Sequence, residues 1–101
     1  MEIDILLKNK GDKVAVVVEV KTTLKVRDVR KFIRKFDTFL DFFPEYQEYT
    51  IYGAVAGMLI EEGVSEFAYR QGLFVLGLGR QGLVQMLNDK KFKPTIFNEI
   101  A

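Results

Sequence analysis

Val-Val-Val-Glu-Val-Lys-Thr at residues 16–22 sets an acid and a base, Glu19 and Lys21, inside a run that is otherwise apolar. Burying an ionised carboxylate or ammonium is costly unless it is paired, hydrogen-bonded or bound to a cation. In an extended chain residues 19 and 21 face the same way, about 7 Å apart from the strand rise. A second acid-bearing stretch, Glu2-Ile3-Asp4-Ile5-Leu6-Leu7-Lys8, comes before it, and Asn9-Lys10-Gly11-Asp12 between the two is turn chemistry. An antiparallel hairpin follows, with strands over 2–8 and 13–23. With Gly11-Asp12 central in a type II′ turn, Asp4 stands opposite Glu19 and Glu2 opposite Lys21. With Lys10-Gly11 central, Glu2 stands opposite Glu19. Either register collects Glu2, Asp4, Glu19 and Lys21 on one face. Adjacent carboxylates repel, so such a cluster raises a pKa or takes up a cation. The chain has no histidine and no cysteine, and oxygen ligands alone suit Mg²⁺ or Mn²⁺.

Those two absences also exclude disulfides, zinc fingers, thiol nucleophiles and histidine-based acid–base chemistry. The 101 residues correspond to one domain, residues 1–101. The longest apolar runs, such as 53–60, are far too short to span a bilayer, and Glu2 and Asp4 are foreign to a signal peptide. No membrane association is expected, and a cysteine-free chain fits a cytoplasmic protein. Charge is divided along the chain. Residues 1–35 hold ten Lys/Arg against five Asp/Glu, a net of +5, whereas residues 36–101 hold five against nine, a net of −4. An anionic partner would meet the N-terminal third.

The elements that must position the cluster read as β-β-α-β-α-β-β. The β-branched run at 13–23 is expected as a central strand buried on both faces. Residues 24–43 change to helical period, with Val26, Val29, Phe32, Ile33, Phe36, Leu40 and Phe43 on one side. Arg27, Arg30, Lys31, Arg34 and Lys35 lie on the other side, as a candidate phosphate-contacting face or a solvated one. Pro44 marks the stop. Phe39 and Phe42 are assigned to the core or to a subunit interface. A strand at 50–58, a helix at 61–71 capped by Gly72, and strands at 73–78 and 83–87 complete the order. Gly77-Leu78-Gly79-Arg80-Gln81-Gly82 matches a dinucleotide-binding string by letter, but a strand rather than a helix follows, so it reads as a hairpin turn. Two strand–helix–strand crossovers imply an α/β domain built on a mixed sheet.

Asp4 followed by Glu19-Val20-Lys21 resembles the signature of the PD-(D/E)XK nuclease superfamily, the restriction-endonuclease-like fold. There an aspartate opens the second core strand, an acid and a lysine one residue apart sit on the third, and a helix leads to the fourth. The resemblance runs from the aspartate strand over most of the chain; the usual first helix and strand have no counterpart. Residues 68–75 are similar to the helix-to-strand step of small members, and Tyr52-Gly53-Ala54-Val55-Ala56-Gly57 points to a small branch of the family. The resemblance implies an α/β mixed sheet flanked by helices and Mg²⁺-dependent (or Mn²⁺-dependent) hydrolysis of DNA phosphodiesters. Asp4 and Glu19 are then the metal ligands and Lys21 the catalytic lysine, with Glu2 an accessory ligand on geometry alone. An exposed sheet edge and the surplus of aromatics suggest a homodimer. The alternative is an inactive nuclease-fold module that binds nucleic acid or a protein partner.

Overall fold

The computed structural model describes residues 1–79 and 82–99. Among the described residues five strands form one mixed sheet in sequence order: β1 (Ile5–Asn9), β2 (Val14–Leu24), β3 (Thr50–Ile60), β4 (Phe74–Leu78) and β5 (Val84–Met86). β1 is antiparallel to β2, β2 to β4 run parallel, and β5 returns antiparallel to β4. Parallel neighbours need crossovers. Helix α1 (Val26–Lys35) begins the first, and helix α3 (Val64–Arg70) makes the second. The α/β class and the mixed sheet are as the sequence implies.

The hairpin has Ile5 opposite Val18, which is the register with Asp4 on the level of Glu19. Its turn differs from the two-residue type expected. Four residues, Lys10–Lys13, separate Asn9 from Val14, and Lys13 rather than Gly11 takes the left-handed conformation, at φ 52°. Asn9 is the cause: its side-chain oxygen accepts from the Asp12 N–H at 3.2 Å and its amide donates to the Asp12 carboxylate at 3.1 Å. This Asx-type closure holds the wider loop without glycine at the bend.

The long helix expected over 24–43 is broken. Phe36, Asp37 and Thr38 donate to Ile33, Arg34 and Lys35, tightening the end of α1 into i→i−3 bonds. A short helix α2 (Phe39–Phe42) and a 3₁₀ turn at Pro44–Tyr46 follow. In a straight helix residue 39 would sit about 60° from residue 36, on the same side, so the facing of these two rings does not require the break. Phe36 and Phe39 both pack against the core, with Phe39 2% exposed and Phe42 outside it. Asp28 fixes the start of α1 by accepting from the Lys25 N–H at 2.9 Å. Gly72, at φ 80°, ends α3 as expected: its N–H reaches the Tyr69 carbonyl and that of Leu73 reaches Ala68.

Both long helices pack on one side of the sheet, over Ala15, Val17, Ile51, Val55 and Val75. Gly53 is needed there, because a Cβ would lie 2.7 Å from Leu73 and 3.0 Å from the Phe36 ring. The C-terminal tail crosses the same side, stacking Phe97 on Phe36 at 4.1 Å and donating from its N–H to the Ile51 carbonyl. The expectation that β2 is covered on both faces is half met: Val17 and Val18 are buried, but Val20 is 38% exposed. The hairpin turn expected over residues 77–82 falls partly on Arg80 and Gln81, which lie outside the described residues. On either side of them, Gly79 donates to the Leu83 carbonyl at 2.6 Å.

Candidate functional site

β2 positions Glu19 on its helix-covered face, one residue beyond the end of the β1 ladder. β1 stops at Ile5 because the chain bends at Asp4. Instead of a backbone carbonyl, the Asp4 carboxylate meets β2: its Oδ2 accepts from the Val20 N–H at 2.8 Å. That bond holds the Asp4 carboxyl beside Glu19. Glu19 is 7% exposed. Burial pushes its carboxyl above the usual range; the neighbouring Asp4 adds to the rise, and the Lys35 ammonium opposes it. Lys21 is exposed, on the same face of β2 and two residues on, where it is level with Gly57 of β3.

The bend undoes part of the expected cluster. Alternation no longer carries Glu2 to this face, because residues 2–4 are outside the strand. Glu2 is exposed, and it meets the site through its backbone carbonyl, which accepts from Lys35 Nζ at 3.1 Å. Two carboxylates converge, not three, and among the described residues no group of three acidic, histidine or cysteine side chains could hold a metal ion. The donor set, two carboxylates from Asp4 and Glu19, still suits a magnesium ion, which commonly takes one or two protein carboxylates and completes its shell with water and phosphate oxygens.

Lys35 is the residue the sequence reading misplaced. Its Nζ lies 3.4 Å from Glu19 Oε1, with the Lys35 side chain 30% exposed, so it belongs to the acid pair rather than to a solvent-facing stripe. The signal was present in the helical phase. At 100° per residue, Lys35 projects about 60° from Phe32, at the margin of the apolar side. The same phase divides the rest of the basic face. Arg30 and Arg34 lean toward α3, where they line a shallow cleft with Ile33 and Gln71, and the Arg30 guanidinium lies 5.5 Å from the Phe67 ring centre. Lys31 stands one turn before Lys35, on the flank nearer Glu19, and Arg27 and Lys31 are both exposed.

A cleft of about 420 Å³ opens elsewhere, between α3 and residues 87–89. Three of its polar side chains, Tyr69, Asn88 and Asp89, are engaged with the chain itself. Asn88 bonds the Val75 N–H and the Leu73 carbonyl, and Asp89 accepts from the Tyr69 hydroxyl at 2.6 Å. Among the described residues the buried charged side chain is Glu19, with exposed Asp4 and partly exposed Lys35 beside it. Among the described residues no helix is long and apolar enough to cross a membrane. No protein-family model, curated protein or solved structure matches the chain.

Proposed function

We propose that the chain is a divalent-metal-dependent nuclease domain of the PD-(D/E)XK type, acting on DNA phosphodiesters in the cytoplasm. The observation that carries this reading is the Asp4 carboxylate fastened to the Val20 N–H beside buried Glu19, with Lys21 on the same face. The order of hairpin, helix and strand parallel to β2 supports it, since the resemblance implies that sequence of elements. Asp4 and Glu19 would hold Mg²⁺, which when bound supplies positive charge to a phosphoryl oxygen and acidifies water. Lys21, an exposed ammonium, would orient the attacking water or meet the charge that develops on phosphorus. Arg27 and Lys31, exposed on α1, offer phosphate contacts, and Arg30 and Arg34 offer them on the α3 flank.

One observation favours the second reading, a catalytically inactive module that binds nucleic acid or a protein partner. Lys35 already neutralises Glu19, so the acid pair is partly satisfied without a metal. A thermal melt with Mg²⁺ and with chelator separates the two. For a site with Kd ~1 mM, 10 mM Mg²⁺ adds about 1.4 kcal/mol, or roughly 5–10 °C at this chain length. Glu19→Gln keeps the shape, removes the carboxylate and abolishes the shift under the nuclease reading. No Mg²⁺ response in the wild-type protein leaves only the inactive module.

A further inference from the structure

The helices cover one side of the sheet; the strand positions of the other side carry no charge, and the tail reaches its β4 end, where Phe92 packs on Phe74 at 5.0 Å. Cross-strand neighbours share a face, so the registers assign every second residue of 5–9, 14–22, 50–58, 74–78 and 84–86 to the open side. None of those positions is Asp, Glu, Lys or Arg. The charged strand residues Lys8, Glu19 and Lys21 all fall on the helix side. This inverts the usual pattern, in which the water-facing side of a sheet alternates to polar residues and parallel strands are covered on both faces. The open side exposes Ile5 (45%), Leu7 (57%), Val20 (38%), Met58 (62%), Val84 (61%) and Met86 (55%). Between these flanks Val18, Ala54 and Ala56 form a low floor, each 5% exposed or less.

We propose that two copies of the chain associate through this face, sheet against sheet, about a two-fold axis. Its lack of charge selects the occupant. A partner of another kind would need a matching uncharged surface, and a second copy brings one of the same size and character. The dimensions suit an interface core. Five strands at ~4.8 Å spacing and about 17 Å of strand length give a projected plane of roughly 400 Å², before side-chain relief is counted. A standard interface removes about 800 Å² per partner, of which the apolar centre is one part and a polar rim the rest. The edge pairing suggested by the sequence is not required, and the inference does not rest on the phosphodiester reading.

Sedimentation equilibrium of the full chain, from about 1 to about 100 µM, tests it. A dimer with a Kd of about 10 µM or tighter is expected. Leu7→Lys and Met58→Glu set charges in the face and should each weaken association at least about tenfold. Both side chains are more than half exposed in the single chain, so far-UV circular dichroism should match the wild type and show that the fold survives. Phe42→Lys removes an equally exposed apolar side chain from α2, off the sheet, and should leave the dimer intact. A wild-type chain that stays monomeric to about 100 µM overturns the proposal. So does a dimer that survives both face variants, or one that Phe42→Lys dissociates equally.

Discussion

Lys35→Met removes the cation beside Glu19 and keeps most of the aliphatic stem. Breaking a fully buried ion pair from one side costs about 3–5 kcal/mol, whereas exposed pairs contribute no more than about 1 kcal/mol. Glu19 is nearly buried, Lys35 keeps 30% exposure, and the 3.4 Å separation is long, so about 1–2 kcal/mol is expected at pH 8. The pH dependence carries more information than the size. Burial already holds the Glu19 carboxyl above its ordinary value of 4.5, and losing Lys35 raises it further. A carboxyl whose folded pKa exceeds its unfolded pKa binds protons more tightly when folded, so stability falls as pH rises through that interval. The deficit of the variant should therefore be smallest at acid pH, where protonation of Glu19 leaves mainly the lost Lys35 bond to the Glu2 carbonyl, and should grow as pH rises. Urea melts of both proteins at pH 4 and pH 8 measure this; other titrating groups cancel in the difference. Lys35→Met combined with Glu19→Gln should recover most of the loss at pH 8. An equal deficit at both pH values would refute the assignment of Lys35 as the counter-ion of Glu19.

Asp4→Asn keeps an oxygen for the Val20 N–H and loses the charge, so the hairpin should melt within about 0.5 kcal/mol of wild type while any Mg²⁺ stabilisation vanishes in the same melts. Arg30→Ala with Arg34→Ala should flatten the salt dependence of DNA binding by about one unit of slope per lost phosphate contact, read by fluorescence anisotropy across a salt series. Gly53→Ala places a Cβ 2.7 Å from Leu73 and should cost about 1–3 kcal/mol in urea, with the Mg²⁺ response unchanged because the overlap lies under α1 and away from Asp4.

Periodicity made much of this arrangement legible. Alternation placed Glu19 and Lys21 on one face of β2, the turn chemistry selected the hairpin, and the Gly11-Asp12 alternative gave the pairing of Ile5 with Val18. The apolar phase of α1 identified Val29 and Phe32 as core, and Gly72 as a left-handed cap. The failures have a common physical origin: local bonding that alternation does not encode. Asn9 closes a wider loop than the glycine suggested. A side chain, Asp4, takes a ladder position that a backbone carbonyl would have filled, and so ends β1 early and leaves Glu2 outside. The long helix breaks at Asp37 and Thr38, where i→i−3 bonds replace the helical ladder, a change of local bonding that the apolar period does not encode. The helical period sets Lys35 with the cations of the polar side, although its angle puts it at the edge of the apolar side, where Glu19 draws it in. The sheet face opposite the helices was read as buried from its β-branched content, and nothing local in the sequence says which element covers it.

Cleavage of supercoiled plasmid DNA tests the central claim most directly. Purified wild-type chain, Lys21→Ala and Glu19→Gln are incubated with DNA in Mg²⁺, in Mn²⁺ and in chelator, and nicked and linear products are followed with time. The proposed assignment of Asp4, Glu19 and Lys21 predicts metal-dependent nicking by the wild-type chain. It also predicts a loss of at least about a hundredfold in Lys21→Ala, with Mg²⁺ stabilisation of that variant retained, and a loss of both properties in Glu19→Gln. Cleavage that persists unchanged in Lys21→Ala, or absence of metal-dependent cleavage by a wild-type chain shown to bind DNA, would contradict it.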